Sequence, residues 1–132
     1  MIGLDTGFFI KLLQGNETAV EVWEQIVLKK EEATVSCLTF YELERLALKA
    51  MIDKEAVQVV KDAIQENCEV LWVDDPEIIA QASRLSHGLG LPALSALILG
   101  GFLVKDIKKV YTTDKSFQAY RKKKFEAINL NR

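Results

Sequence analysis

Histidine is almost missing from this sequence, with His87 the only one in 132 residues. Cysteine and proline are nearly as scarce: Cys37, Cys68, Pro76 and Pro92 are the full set. Neither cysteine belongs to a Cys-x-x-Cys pair, which argues against a disulfide framework and against a thiolate zinc site. One histidine beside a Gly-Leu-Gly turn gives poor support to a histidine-based metal centre or catalytic triad. Long apolar runs are also lacking. Met1 to Leu13 is too polar, and its apolar stretches too short, for a signal peptide or a membrane span. The expectation is a cytoplasmic protein with two buried free thiols, forming one domain over residues 1–132 whose core needs no staples.

The composition is 49% hydrophobic and 27% charged, and the net charge of −2 conceals an asymmetry. Residues 105–124 carry eight bases against Asp106 and Asp114, a balance of +6, while residues 1–104 carry −8. A basic segment on an acidic body can meet phosphates, or it can simply be a solvated face.

The chain alternates short β-rich runs with helical periodicity. Met1 to Leu4 reads as a buried strand that stops at Asp5, and Phe8 to Leu13 as a short helix. Glu17 to Lys30 repeats apolar residues at Val20, Trp23, Ile26 and Val27, which is helical spacing. Ala33 to Leu38 reads as a second strand, Thr39 to Ala50 and Asp53 to Asn67 as two amphipathic helices, and Glu69 to Val73 as a third strand. Asp75-Pro76 opens a helix with an acidic cap and proline in the first turn, expected to run to about Ser86 before a glycine-rich turn at His87 to Leu91. From Pro92 to about Val104 every side chain except Ser95 is apolar or absent, the signature of a buried helix. Lys109 to Thr112 reads as a fourth strand and Glu126 to Leu130 as a fifth. This alternation predicts an α/β protein with a central, mainly parallel sheet of four or five strands flanked by helices.

Three acids fall just beyond strand ends: Asp5 after the first strand, Glu42 in the first turn after the second, and Asp114 two residues after the fourth. In open α/β sheets ligands bind at that edge. Gathered carboxylates repel one another unless a cation lies among them, and oxygen-only ligands suit Mg²⁺ or Mn²⁺. Each acid also has a purely local explanation. Asp5 can cap the next helix, Thr39-x-x-Glu42 can be a capping box, and Asp114 can start a turn.

Four segments resemble the PIN domain, and in particular the small ribonuclease toxins of VapBC-type toxin–antitoxin pairs. Ile2-Gly-Leu-Asp-Thr-Gly-Phe-Phe-Ile10 resembles the opening strand and first acid, and Val35-Ser-Cys-Leu-Thr-Phe-Tyr-Glu-Leu43 the segment carrying the second. Leu89-Gly-Leu-Pro-Ala-Leu-Ser-Ala-Leu-Ile98 resembles the turn and buried helix carrying the third. Val110-Tyr-Thr-Thr-Asp-Lys-Ser-Phe117 resembles the Thr-x-Asp-x-Asp-Phe segment. The resemblance implies a three-layer sandwich, a divalent metal and hydrolysis of RNA phosphodiesters. It implies that Asp5, Glu42 and Asp114 are catalytic and metal-binding residues, with Thr112, Ser95, Ser116 and Lys115 in support and residues 105–124 against the RNA backbone.

This chain departs from the pattern at two of its acids: Ser95 stands at the third acid and Ser116 at the second acid of the Asp-x-Asp pair. Glu44 offers no replacement, since two residues turn a helix by about 200° and point it away from Glu42. Two readings therefore follow: a ribonuclease with weakened metal binding, or an inactive PIN domain that binds RNA or a protein. Ser95 itself can face the acids, or can bond the carbonyl of Leu91 inside a packed helix. A haloacid-dehalogenase-like phosphatase is disfavoured by Gly7, where that family needs a second Asp. A phospho-receiver is disfavoured by the lone Asp5 and by the lack of the expected lysine. With Trp23, Phe40, Tyr41 and Trp72 in so small a protein, a homodimer with an apolar groove for an antitoxin segment is expected.

Overall fold

A computed structural model describes residues 1–122 and 124–131. Lys123, one of the eight bases of the basic segment, and Arg132 lie outside the described residues. Five strands form one sheet: β1 (Ile2–Leu4), β2 (Ala33–Ser36), β3 (Glu69–Leu71), β4 (Lys109–Thr112) and β5 (Glu126–Asn129). Their spatial order is β3-β2-β1-β4-β5, and every neighbouring pair is parallel. Gly3 pairs with Thr34 on one side and Val110 on the other, so β1 lies at the centre.

Six helices cover the sheet: α1 (Thr6–Leu13), α2 (Glu17–Val27), α3 (Leu38–Leu48), α4 (Lys54–Asn67), α5 (Pro76–Leu89) and α6 (Ala93–Val104). Ile2, Leu4 and Val35 pack with Phe8, Phe9, Ile26, Leu43 and Ile64 in one core, which belongs to α1 through α4. Leu71 and Val110 pack with Ile78, Leu85, Leu99, Phe102 and Phe117 in the other, built from α5, α6 and the short 3-10 turn Lys115–Ala119. A parallel sheet buried on both faces must be apolar on both; Leu4, Val35 and Val110 are fully buried. The three-layer α/β arrangement expected from the alternation is the one present.

Several boundaries differ from the sequence reading, each for a local reason. Helix α1 starts at Thr6 rather than Phe8, because Asp5 caps it by accepting the Phe8 N–H at 3.1 Å. Helix α5 continues through His87 and Gly88 to Leu89, so the glycine-rich turn is shorter than its composition indicates. Only Gly90 takes the left-handed conformation, φ 72°, that ends the helix. Helix α3 starts at Leu38 with Cys37 at its cap, which places Thr39 inside the helix and rules out the capping box. Helix α6 buries Ala96 and Ile98 through Phe102. Its first turn emerges from the core, however, with Ala93 exposed and Leu94 and Ser95 half-buried. Among the described residues no helix is long and apolar enough to cross a membrane.

Candidate active site

The strands all run the same way, so their C-terminal ends share one edge. A pocket of about 340 Å³ opens there, lined by Asp5, Glu42, Ser95 and Asp114 together with Thr6, Arg45, Lys49 and Ile98. Asp5 leaves β1, Glu42 lies one turn into α3, Ser95 lies in the first turn of α6, and Asp114 two residues beyond β4. The three acids and the serine at the place of the missing acid thus converge, although they come from four elements. Thr112 and Ser116 stand behind the rim and reach the acids by hydrogen bonds. Lys115 is exposed and is not among the lining residues.

Each carboxylate accepts a hydroxyl. The Thr112 hydroxyl donates to Asp5 Oδ2 while its oxygen accepts the Asp114 N–H at 2.8 Å, so one threonine ties the two acids together. Thr6 donates to Glu42 Oε1 at 2.5 Å, and the fully buried Thr39 hydroxyl lies 3.0 Å from Thr6 Oγ1. Ser95 donates to Asp114 Oδ2 at 2.5 Å, and Ser116 Oγ to Asp114 Oδ1 at 2.6 Å. Ser95 therefore faces the acids rather than the carbonyl of Leu91. Asp114 also accepts the Ser116 N–H at 2.9 Å and so starts the 3-10 turn as well. Local and site roles coexist at Asp5 and Asp114. No buried side-chain nitrogen or oxygen lacks a partner among the described residues.

Burial opposes ionisation here. The Asp5 carboxyl is pushed up to about 7, chiefly by desolvation and further by the nearby charges of Asp114 and Glu42, against the lowering effect of the Thr112 and Phe8 bonds. Glu42 is also raised, mainly by burial, with Thr6 and Arg45 pulling the other way. Such shifts at converging acids mark candidate functional groups. Close packing fixes the floor: a Cβ on Gly7 would meet Thr113 Oγ1 at 1.7 Å, so only glycine lets the start of α1 approach the β4 exit.

The residues suit a hard cation in kind, being all oxygen donors. They do not form a ready cage: among the described residues no three His, Cys, Asp or Glu side chains are grouped so as to hold an ion. Mg²⁺ commonly takes one or two carboxylates and keeps several waters. The Asp5–Thr112–Asp114 cluster fits that mode, with Glu42 lining the same pocket.

The basic segment is divided between the two edges of the sheet. Lys108, Lys122 and Lys124 line a separate pocket at the opposite edge of the sheet, and Arg45 and Lys49 supply the positive charge at the acids. Arg45 follows Glu42 by three positions on α3, and Lys49, the residue that caps the helix, follows it by seven, a spacing that keeps all three on one side. That spacing was a legible signal; the Thr6–Thr39 pair had none. Glu44 points away from Glu42, as the helix turn requires, and pairs with Lys61 at 2.7 Å.

Comparison with known proteins agrees with this architecture. No curated protein matches the sequence. Among solved structures, VapBC2 from Rickettsia felis bound to a promoter DNA fragment superposes with a TM-score of 0.75 at 16% identity, covering 98% of each chain. VapBC-1 from nontypeable Haemophilus influenzae gives 0.73 at 17% identity over 100% of each chain. FitAcB from Neisseria gonorrhoeae gives 0.66 at 20% identity over 98% of each. The sequence model of the PIN domain matches residues 2–123, and with the five-stranded parallel sheet and its acidic edge in place, the chain belongs to the PIN domain family.

Proposed function

We propose that this protein is a divalent-metal-dependent endoribonuclease, using Mg²⁺ or Mn²⁺, and the toxin member of a toxin–antitoxin pair, with an attenuated acidic site. The observation that carries this reading is the convergence of Asp5, Glu42 and Asp114 in one open pocket with Arg45 and Lys49 on its wall. Two of the structural neighbours named above are VapBC proteins, and with the resemblance of the sequence to VapBC-type toxins this supports the cellular role and a small antitoxin as partner.

A bound divalent ion supplies an acidified water and offsets phosphate charge. Asp5 and Asp114 are the residues to hold it, and Thr112 keeps their spacing. Glu42 has Oε1 taken by Thr6, which leaves Oε2 to orient a water or accept its proton. Arg45 and Lys49 attract the RNA phosphates into a pocket whose own charge is negative. Ser95 and Ser116 contribute neutral hydroxyls where the family pattern has acids, so the ion meets less charge. At ~4 Å and an effective dielectric near 20, one absent carboxylate removes a pairwise attraction of roughly 4 kcal/mol before desolvation is counted. The result is weak metal binding and slow cleavage.

Self-association accompanies this role. Of the four aromatics singled out, Tyr41 and Trp72 are exposed, whereas Trp23 packs on Phe9 at 5.8 Å and Phe40 is half-buried. Tyr41, Leu48 and Met51, all exposed on or just after α3, form the apolar face for a second copy or an antitoxin segment. The test of the enzyme is cleavage of single-stranded RNA at millimolar Mn²⁺, with EDTA, Asp5→Asn and Asp114→Asn as controls. Loss of cleavage in all three controls supports the proposal. The hydroxyl-satisfied acids favour a second reading, a non-catalytic PIN domain. Calorimetry with no metal heat, together with no cleavage, would establish that reading instead.

A further inference from the structure

The second pocket lies where strands β4 and β5 begin. It holds about 230 Å³ and is lined by Lys108, Lys122, Lys124, Tyr120, Phe125 and Asp106, among others. The Glu126 N–H donates to the Lys108 carbonyl at 2.7 Å, which joins the two strand entries beneath it. Lys108 pairs with Asp106 at 3.1 Å. Among the described residues no acid lies within ion-pair distance of Lys122 or Lys124, so the pocket keeps a net positive charge. Its aromatic pair, Tyr120 and Phe125, meet edge to face with centroids 5.2 Å apart, and both remain half-buried rather than sealed in the core.

We infer that this pocket is a second RNA-binding site, taking backbone phosphates on Lys122 and Lys124 and a base against Tyr120 or Phe125. Lysines beside accessible aromatic rings form the combination that holds single strands, the charge tracking the backbone and the ring offering a sequence-tolerant stacking face. The cavity is smaller than the roughly 300–1,000 Å³ of typical small-molecule sites, which suits one nucleotide of a longer strand. Strand β4 spans four residues at ~3.3 Å each, so the two pockets lie at least ~13 Å apart. The inference deepens the ribonuclease reading and rests on it for the identity of the ligand.

The experiment is RNA binding in EDTA, where nothing is cleaved, with a single-stranded oligonucleotide of about twelve nucleotides. The natural protein is compared with Lys122→Gln/Lys124→Gln and with a charge-matched control, Lys30→Gln/Lys54→Gln; all four lysines are exposed, so folding is not at risk. Each phosphate that no longer meets a lysine lowers the salt slope by ~0.7 for a single strand. Raising salt from about 50 to about 200 mM should therefore cost the natural protein about sevenfold more affinity than the pocket variant. The control should retain the natural salt slope. Equal slopes in the natural protein and the pocket variant would overturn the inference, as would an equal loss in the control. Displacement of the RNA from this pocket by a free mononucleotide at equal molar concentration would overturn the strand assignment. If pocket-dependent binding holds while no metal condition gives cleavage, the catalytic reading fails and this one stands.

Discussion

Replacing Asp5 by asparagine should stabilise the metal-free protein by on the order of 4 kcal/mol at pH 8 and by less than half of that at pH 5. Burial raises the folded carboxyl from 3.8 to about 7. Between those values the folded chain holds a proton that the unfolded chain has released, so stability falls as pH rises through the window and levels off above it. The full shift of about 3 units, at 1.36 kcal/mol each, is on the order of 4 kcal/mol. Two of those units lie between pH 5 and pH 7, so the natural protein should lose on the order of 3 kcal/mol from pH 5 to pH 8 through this group. Asparagine has the size and neutrality of the protonated acid, can still accept the Phe8 N–H that caps α1, and does not titrate. Urea unfolding in EDTA at pH 5, 6, 7 and 8, for both proteins, reads the difference directly. Parallel pH profiles, or a variant less stable than the natural protein at pH 8, would refute the account of Asp5 as a carboxylate held neutral by burial.

Three further outcomes follow from the same site. Ser95→Asp replaces a hydroxyl that donates to Asp114 with a second carboxylate; it should tighten Mn²⁺ binding at least tenfold by calorimetry and speed RNA cleavage, while lowering stability in EDTA by about 1.5–3 kcal/mol. Thr112→Val removes both the bond to Asp5 and the acceptor for the Asp114 N–H. It should cost about 1–3 kcal/mol in denaturant unfolding and push the stability loss of the natural protein to higher pH, because Thr112 holds the Asp5 carboxyl down. Gly7→Ala forces Thr113 out of its place; thermal unfolding should fall by several degrees, and a melting point equal to the natural one would show that the β4 exit yields freely.

The fold was largely legible in the sequence because burial on both faces leaves a strand such as Ile2–Leu4 as a short apolar run, and because Asp53, Asp75 and Pro76 mark helix starts by simple chemistry. Helix ends were less clear. Gly88 and Gly90 look alike in sequence, yet only Gly90 takes a positive φ, a choice set by how α5 meets α6. The acids were legible as strand-end residues, whereas their hydroxyl partners depended on tertiary contacts, such as Thr6 reaching Glu42 from another helix. The two ends of the basic segment part for a geometric reason. Between residues 105 and 124 the chain crosses the sheet as β4, so Lys108 and Lys115, close in sequence, lie at opposite edges.

The central place of β1 has a kinetic consequence. Its partner β2 follows within about thirty residues, but Gly3 meets Val110 only across most of the chain. Non-local parallel pairing of this kind is slow, since the entropy of closing a long loop is lost before the pairing is gained. Asp5 and Asp114 share Thr112, so they meet only when that last long closure occurs. A nascent chain that has not yet reached β4 thus lacks the assembled acidic edge, whatever fraction of its helices has already formed.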